Sequence, residues 1–321
     1  MEIFLTTLQQ MLTLFTLILF GYLLRKKEIL PTVSDITMSR LETYIFTPAV
    51  NLSNMMAKCN VKSFTENAPL ILYGAIMVFS AILMATFVSR FFAKNDGSAK
   101  DAYQRCIYKY ALTFGNFGFV GYALILGVWG SEWLFKYQML VFVPSIVAAS
   151  WGLYTLIPKD QNAGLVANLK KGLLNPPIIC LAIGIILGLL NIDQYVPKFL
   201  TTVFKDASAC QGPVAMVLAG FVIGGYNMKK MLANKKVYVA TFLRLIVIPS
   251  VVMFILMALN TPKDIMTIAL VYFATPLGLN TIVYPAAYGG ETQTGASMAS
   301  ISHTLSVITI PLMYLVYIVW L

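Results

Sequence analysis

The chain has 321 residues, of which 59% are hydrophobic and only 11% charged, with a net charge of +10 and a mean hydropathy of +0.77. A soluble domain carries roughly 25% charged residues, so this composition excludes an ordinary water-soluble fold and indicates a polytopic helical membrane protein. The lysines and arginines stand in short clusters between apolar runs and form no basic domain that could follow a phosphate backbone, which excludes nucleic acid as a partner.

Apolar windows of about 20 residues, long enough to cross a hydrocarbon core of roughly 30 Å, predict ten spans. They lie near 4–25, 35–57, 67–92, 106–128, 133–157, 173–190, 204–226, 237–259, 264–288 and 293–320. The first ten residues, MEIFLTTLQQ, have no basic leader and no small-residue cleavage site, so they open a span and not a signal peptide. Span two carries Arg40 and Glu42, both expected to snorkel toward the cytoplasmic headgroups, and then Pro48 in IFTPAVNL. Span four, YALTFGNFGFVGYAL, is interrupted by Gly115, Asn116, Gly118 and Gly121. Lys109 precedes Asn116 by about two helical turns, where it either draws an anion inward or reaches the interface. Span seven holds Pro213 in CQGPVAMVL, and span eight holds Arg244 with Pro249 beyond it.

Span nine contains YFATPLGLNTIVYPAAYGG, with Pro276, Gly278, Asn280 and Pro285 where a lipid-buried helix should keep its ladder whole. Backbone groups freed at that depth find no water, so a break there must face protein or a hydrated cavity. Tyr284 and Tyr288 follow at i and i+4 and share a face. Span ten surrounds His303 with Ser300, Ser302, Thr304 and Ser306. Histidine titrates in the physiological range, so His303 is a candidate for proton or ion coupling beside Lys109; a neutral histidine bonded to its helix neighbours is the competing account.

Tyr110, Thr113, Asn116 and Gly118 precede Tyr272, Thr275, Gly278 and Asn280 by a constant 162 residues. The halves therefore read as copies: a first five-span repeat over 1–158, a cytoplasmic linker over 159–172 and a second repeat over 173–321. An odd number of spans per copy inverts the second one in the bilayer. Loops after odd-numbered spans carry fourteen Lys and Arg against six on the other side, which places the odd loops in the cytoplasm and both termini outside it.

The chain resembles the auxin efflux carrier family of membrane transporters. The resemblance rests on TPAVNL at Pro48, FGNFGFVG around Asn116, GPVAMVLAGFVIGG at Pro213, RLIVIP ending at Pro249, ATPLGLNTIVYPAAYGG at Pro276 and ASMASISHTLSVITIPL ending at Leu312. It implies an all-α membrane fold of ten helices in two inverted five-helix repeats. Spans four and nine are crossing broken helices, with a scaffold group and a mobile crossover group. It also implies elevator-like movement of a small organic anion across the cell membrane, and a homodimer. Family members usually place a proline shortly after the Asn-x-Gly of span four, where this chain has Tyr122 and Ala123.

Asn116 and Asn280 are the first candidates for substrate contact, because an amide offers donors and an acceptor without the desolvation cost of a buried charge. Gly118, Pro276, Gly278 and Tyr284 join them as substrate-binding candidates, while Gly115, Gly121, Pro285, Pro48 and Pro213 are expected to break or loosen helices. The expected function is secondary transport of mono- or dicarboxylates, driven by a proton gradient, a sodium gradient or the substrate's own. A solute sensor or an anion channel on the same scaffold is the alternative. No P-loop, G-x-S-x-G or H-E-x-x-H signature occurs, so neither ATP drive nor an enzyme is expected. Cys59, Cys106, Cys180 and Cys210 are scattered, and no metal or cofactor is expected.

Overall fold

The computed structural model describes residues 2–93, 98–158, 162 and 164–320. Lys94 and Lys159, two of the loop charges used for topology, and the first residues of the 159–172 linker lie outside that set. The described residues are helical in every named element. In order they are α1 (Glu2–Lys26), α2 (Ser34–Leu41), α3 (Thr47–Lys58), α4 (Val61–Phe91), α5 (Ala99–Thr113), α6 (Phe119–Trp129), α7 (Ser131–Leu156), α8 (Leu165–Leu173), α9 (Pro176–Leu189), α10 (Lys198–Gly224), α11 (Met228–Leu232), α12 (Lys235–Ala258), α13 (Lys263–Ala274), α14 (Asn280–Ala287) and α15 (Gln293–Trp320). Six of these are long and apolar enough to cross a membrane, and α8 with α9 form one further candidate bent by 51°. Within the stretch read as a linker, Leu165–Leu173 is a helix, and Asn168 and Gly172 on it are buried.

Helix α4 shows how the apolar sequence is used. Leu72, Ile76, Phe79, Leu83 and Phe87 repeat at helical spacing and are exposed, whereas Leu70, Gly74, Met77, Val78, Ala81 and Ala85 are buried. An exposed apolar stripe of that length is stable against acyl chains and not against water. Helices α1 and α10 lie in close contact. A Cβ at Gly21 would strike the Val217 carbonyl and one at Gly220 the Ile18 carbonyl, so the two backbones touch. Close approach of this kind is how helices associate in lipid, where apolar surface brings no driving force of its own.

Prolines shape the helices without always breaking them. A π turn at Glu42–Phe46 joins α2 to α3 just before Pro48, and another at Leu243–Val247 within α12 precedes Pro249. Proline brings no N–H and crowds the carbonyl four residues back; widening the preceding turn by one residue relieves both problems. Pro48 stands in the first turn of α3, directly after the π turn. Pro213 and Pro285 sit inside the continuous helices α10 and α14. Gly121 lies inside α6, where the Tyr137 hydroxyl fills the space of its missing side chain. These three are corrections: none of them marks a break.

Candidate functional site

Two chain breaks create the site. Helix α5 ends at Thr113, and Phe114 leaves it in an extended conformation, φ −115° and ψ 121°. Helix α13 ends at Ala274, and Thr275 leaves with φ −60° and ψ 143°, as a residue before proline must. The breaks meet: Gly115 and Leu277 form an antiparallel bridge, and the Asn116 N–H donates to the Pro276 carbonyl at 2.6 Å. Gly115 and Leu277 are 162 residues apart, the same offset that relates the two sequence copies.

The half-helices differ at their two ends. Carbonyls left over at the C-terminal ends of α5 and α13 carry partial negative charge, and a single side chain collects them. Arg244, fully buried in the π turn of α12, donates from Nη1 to Leu112 O and Thr113 O, both at 3.2 Å, and from Nη2 to Tyr272 O at 3.1 Å. The guanidinium also lies 5.9 Å from the centroid of the Phe273 ring. No carboxylate pairs with it among the described residues. The opposite ends, at the start of α6 and α14, are open. The N–H groups of Gly118, Phe119, Leu279 and Asn280 find no backbone acceptor among the described residues, which leaves donors and the positive ends of two helix dipoles free for a ligand.

Those open ends face a cavity of about 170 Å³ lined by Gly115, Asn116, Gly118, Gly278, Asn280 and Tyr284, with Thr43 and Thr47 opposite. Since about 10–15 Å³ on this measure holds one water, the cavity admits a small organic ion with some of its hydration. Asn280 donates from Nδ2 to the Tyr110 hydroxyl at 2.8 Å, tying α14 back to α5. Asn116 is held by His303, whose Nε2 lies 3.3 Å from Asn116 Nδ2 while its Nδ1 lies 2.8 Å from Ala299 O. The Ala299 carbonyl can only accept, so Nδ1 carries the proton and Nε2 receives the asparagine N–H: the neutral tautomer.

Six of the predicted residues, Gly115, Asn116, Gly118, Gly278, Asn280 and Tyr284, line one cavity. Pro276 contributes its carbonyl to the crossing and does not line the space. Tyr288 falls beyond the end of α14 and outside the lining. Lys109 is half-buried with its ammonium 5.3 Å from the Trp151 ring centroid, away from the lining residues. Glu42 is fully buried, against the expectation that it would snorkel, while its neighbour Arg40 is exposed. Arg244 is the residue that sequence reasoning undervalued. A lone arginine in an apolar run two turns from no acid was a signal that it must find carbonyls.

The family model described as membrane transport protein matches residues 6–168 and again 163–314, one match for each half of the chain. Comparison with curated proteins gives no match. The two matches together cover nearly the whole sequence, and the chain belongs to the auxin efflux carrier family of membrane transport proteins.

Proposed function

We propose that this protein is a secondary transporter of small organic anions, mono- or dicarboxylates, that works by alternating access around the cavity between the crossed breaks. The carrying observation is the cavity itself: two half-helix N-termini and the amides of Asn116 and Asn280 converge on it. Those groups offer N–H donors to a carboxylate, and the buried Arg244 cation behind Gly115 adds a fixed positive charge. Donors already oriented by the fold need no reorganisation when the anion arrives.

Ten spans in two inverted repeats fit the same coordinates, with α2–α3, α5–α6 and α13–α14 each making one crossing. The bridge between Gly115 and Leu277 pairs a position with its own counterpart, which is what a pseudo-twofold axis in the membrane plane requires. Ties between loops support alternating sides. Lys58 meets Glu132 and Lys136 meets Asp264, each at 2.6 Å, while Lys26 reaches the Tyr226 carbonyl and Lys236 the Phe92 carbonyl. The first set joins loops after even spans and the second joins loops after odd spans, the ones assigned to the cytoplasm. Elevator movement of the crossover group and a homodimeric scaffold complete the reading.

Reconstituted protein should show saturable counterflow of a carboxylate, and a panel of carboxylates should raise its thermal midpoint. Asn280→Ala should abolish that stabilisation while expression is retained. Stabilisation unchanged in the variant means that the site lies elsewhere.

A further inference from the structure

Glu42 lies in the π turn between α2 and α3 and has no accessible surface. Its Oε2 accepts a hydrogen bond from Thr47 Oγ1 at 3.3 Å. Ala215 of α10 lies beside the carboxylate, and Oε1 has no partner. One turn before Ala215, the Gln211 amide nitrogen is buried and unpartnered as well. The ionisable groups on the helices packed around this turn are Asp35 and Arg40 on α2, Lys205, Asp206 and Cys210 on α10, and Cys180 on α9. All are at least partly exposed and none bonds to Glu42. Lys58 and Lys198 stand at the far ends of α3 and α10. A carboxylate held this deep without a counter-cation is costly as an anion.

Thr47 joins that carboxyl to the cavity. Its side chain bonds Glu42 on one side, and the residue lines the cavity on the other. We propose that Glu42 carries the proton that moves with the anionic substrate, and that Thr47 reports its protonation to the cavity. This rests on the carrier reading above. With Glu42 ionised, the Thr47 hydroxyl hydrogen is committed to Oε2 and only oxygen lone pairs remain for the cavity, which disfavours an anion. With Glu42 protonated, the carboxyl O–H donates to Thr47 Oγ1, and the threonine turns its own hydrogen toward the anion. One proton binds Glu42 for each monoanion bound, no other bond changes, and the loaded carrier gains no net charge.

The sign follows by linkage. The protonated form binds the anion more tightly, so anion binding draws in a proton and affinity falls as pH rises. The test uses radiolabelled pyruvate and malonate in proteoliposomes, with protein-free liposomes as the blank for passive entry of the neutral acid, and compares wild type, Glu42→Gln and Thr47→Val, each checked for an unchanged thermal midpoint. In the wild type an acid-outside gradient of one pH unit should support up to about tenfold accumulation of a monoanion. Glu42→Gln, a neutral isostere, should keep exchange, lose accumulation driven by the pH gradient, and bind anion with the same affinity from pH 5.5 to 8. Thr47→Val should lose the proton uptake that accompanies binding, read with a pH indicator. Accumulation in Glu42→Gln that follows the pH gradient as in wild type overturns the proposal, as does wild-type accumulation that follows sodium and ignores pH. Absence of counterflow with both anions in the wild type is a different failure, since it removes the carrier reading on which this one stands.

Discussion

The two breaks descend from equivalent stretches of sequence, yet they are held by different means. The second has a proline to end α13, and the Ser302 hydroxyl accepts the stranded Leu277 N–H at 3.0 Å. The first has no proline. It is opened by Gly115 and Gly118, its Asn116 N–H crosses to the Pro276 carbonyl, and the asparagine side chain is tied to His303. At the second break Asn280 reaches the Tyr110 hydroxyl; at its counterpart the side chain is absent, Gly118, and the Tyr272 hydroxyl is left buried without a partner. What the breaks share comes from outside them, because Arg244 of α12 gathers the carbonyls of both and α15 supplies both Ser302 and His303. A break at membrane depth is therefore stabilised by its neighbours, and helix-breaking residues only permit it.

That comparison can be broken most severely at Arg244. Arg244→Met removes three charged hydrogen bonds and strands the Leu112 and Thr113 carbonyls, while Tyr272 O keeps the Thr275 hydroxyl; at about 1–3 kcal/mol for each unsatisfied group, the thermal midpoint in detergent should fall by roughly 5–10 °C and both breaks should loosen together. A variant that melts like wild type would show that the guanidinium is not what holds them. Gly115→Ala comes next. A Cβ there would meet Arg244 Nη2 at 2.6 Å and the Thr275 carbonyl at 2.7 Å, so overpacking of about 1–3 kcal/mol is expected, with loss of transport even where the protein still folds.

His303→Gln sharpens the comparison without breaking it. Glutamine can accept from Asn116 and donate to Ala299, so uptake should drop modestly while its pH profile from 5.5 to 8 keeps its shape. A flattened profile would move proton coupling from Glu42 to His303. The smallest effect is expected from Pro276→Ala, because the crossing uses the backbone carbonyl and the Ser302 tie rather than the ring. Apparent affinity should stay within about threefold of wild type, a change of under 1 kcal/mol.

Much of this was legible before any coordinates. Prolines, glycines and asparagines in apolar runs located both breaks, since little else puts such residues at membrane depth, and the 162-residue offset predicted that they belong together. Other residues misled. Gly121 and Pro285 look like breakers but lie within helices, and at Gly121 the Tyr137 hydroxyl fills the space of the missing side chain. Lys109, read as either an anion guide or an interface anchor, has its ammonium over the Trp151 ring, a partner 42 residues away that no local pattern announces. Glu42 looked like a headgroup anchor because sequence places it near a span end; the π turn before Pro48 rotates it inward instead.

By itself, the sequence determined that the chain is a helical membrane protein, where its backbone must leave the helix and that its halves are related. Those properties follow from local hydropathy and from hydrogen-bonding capacity, which each residue carries wherever it is placed. Only the tertiary structure decided that Arg244 would serve both breaks, that His303 would receive the Asn116 amide, and that Glu42 would stand one hydroxyl behind the cavity wall. The first two are pairings between helices distant in the chain, and the third, though only five residues apart, is turned inward by the packing of the π turn; a buried polar group is defined by the partner it finds.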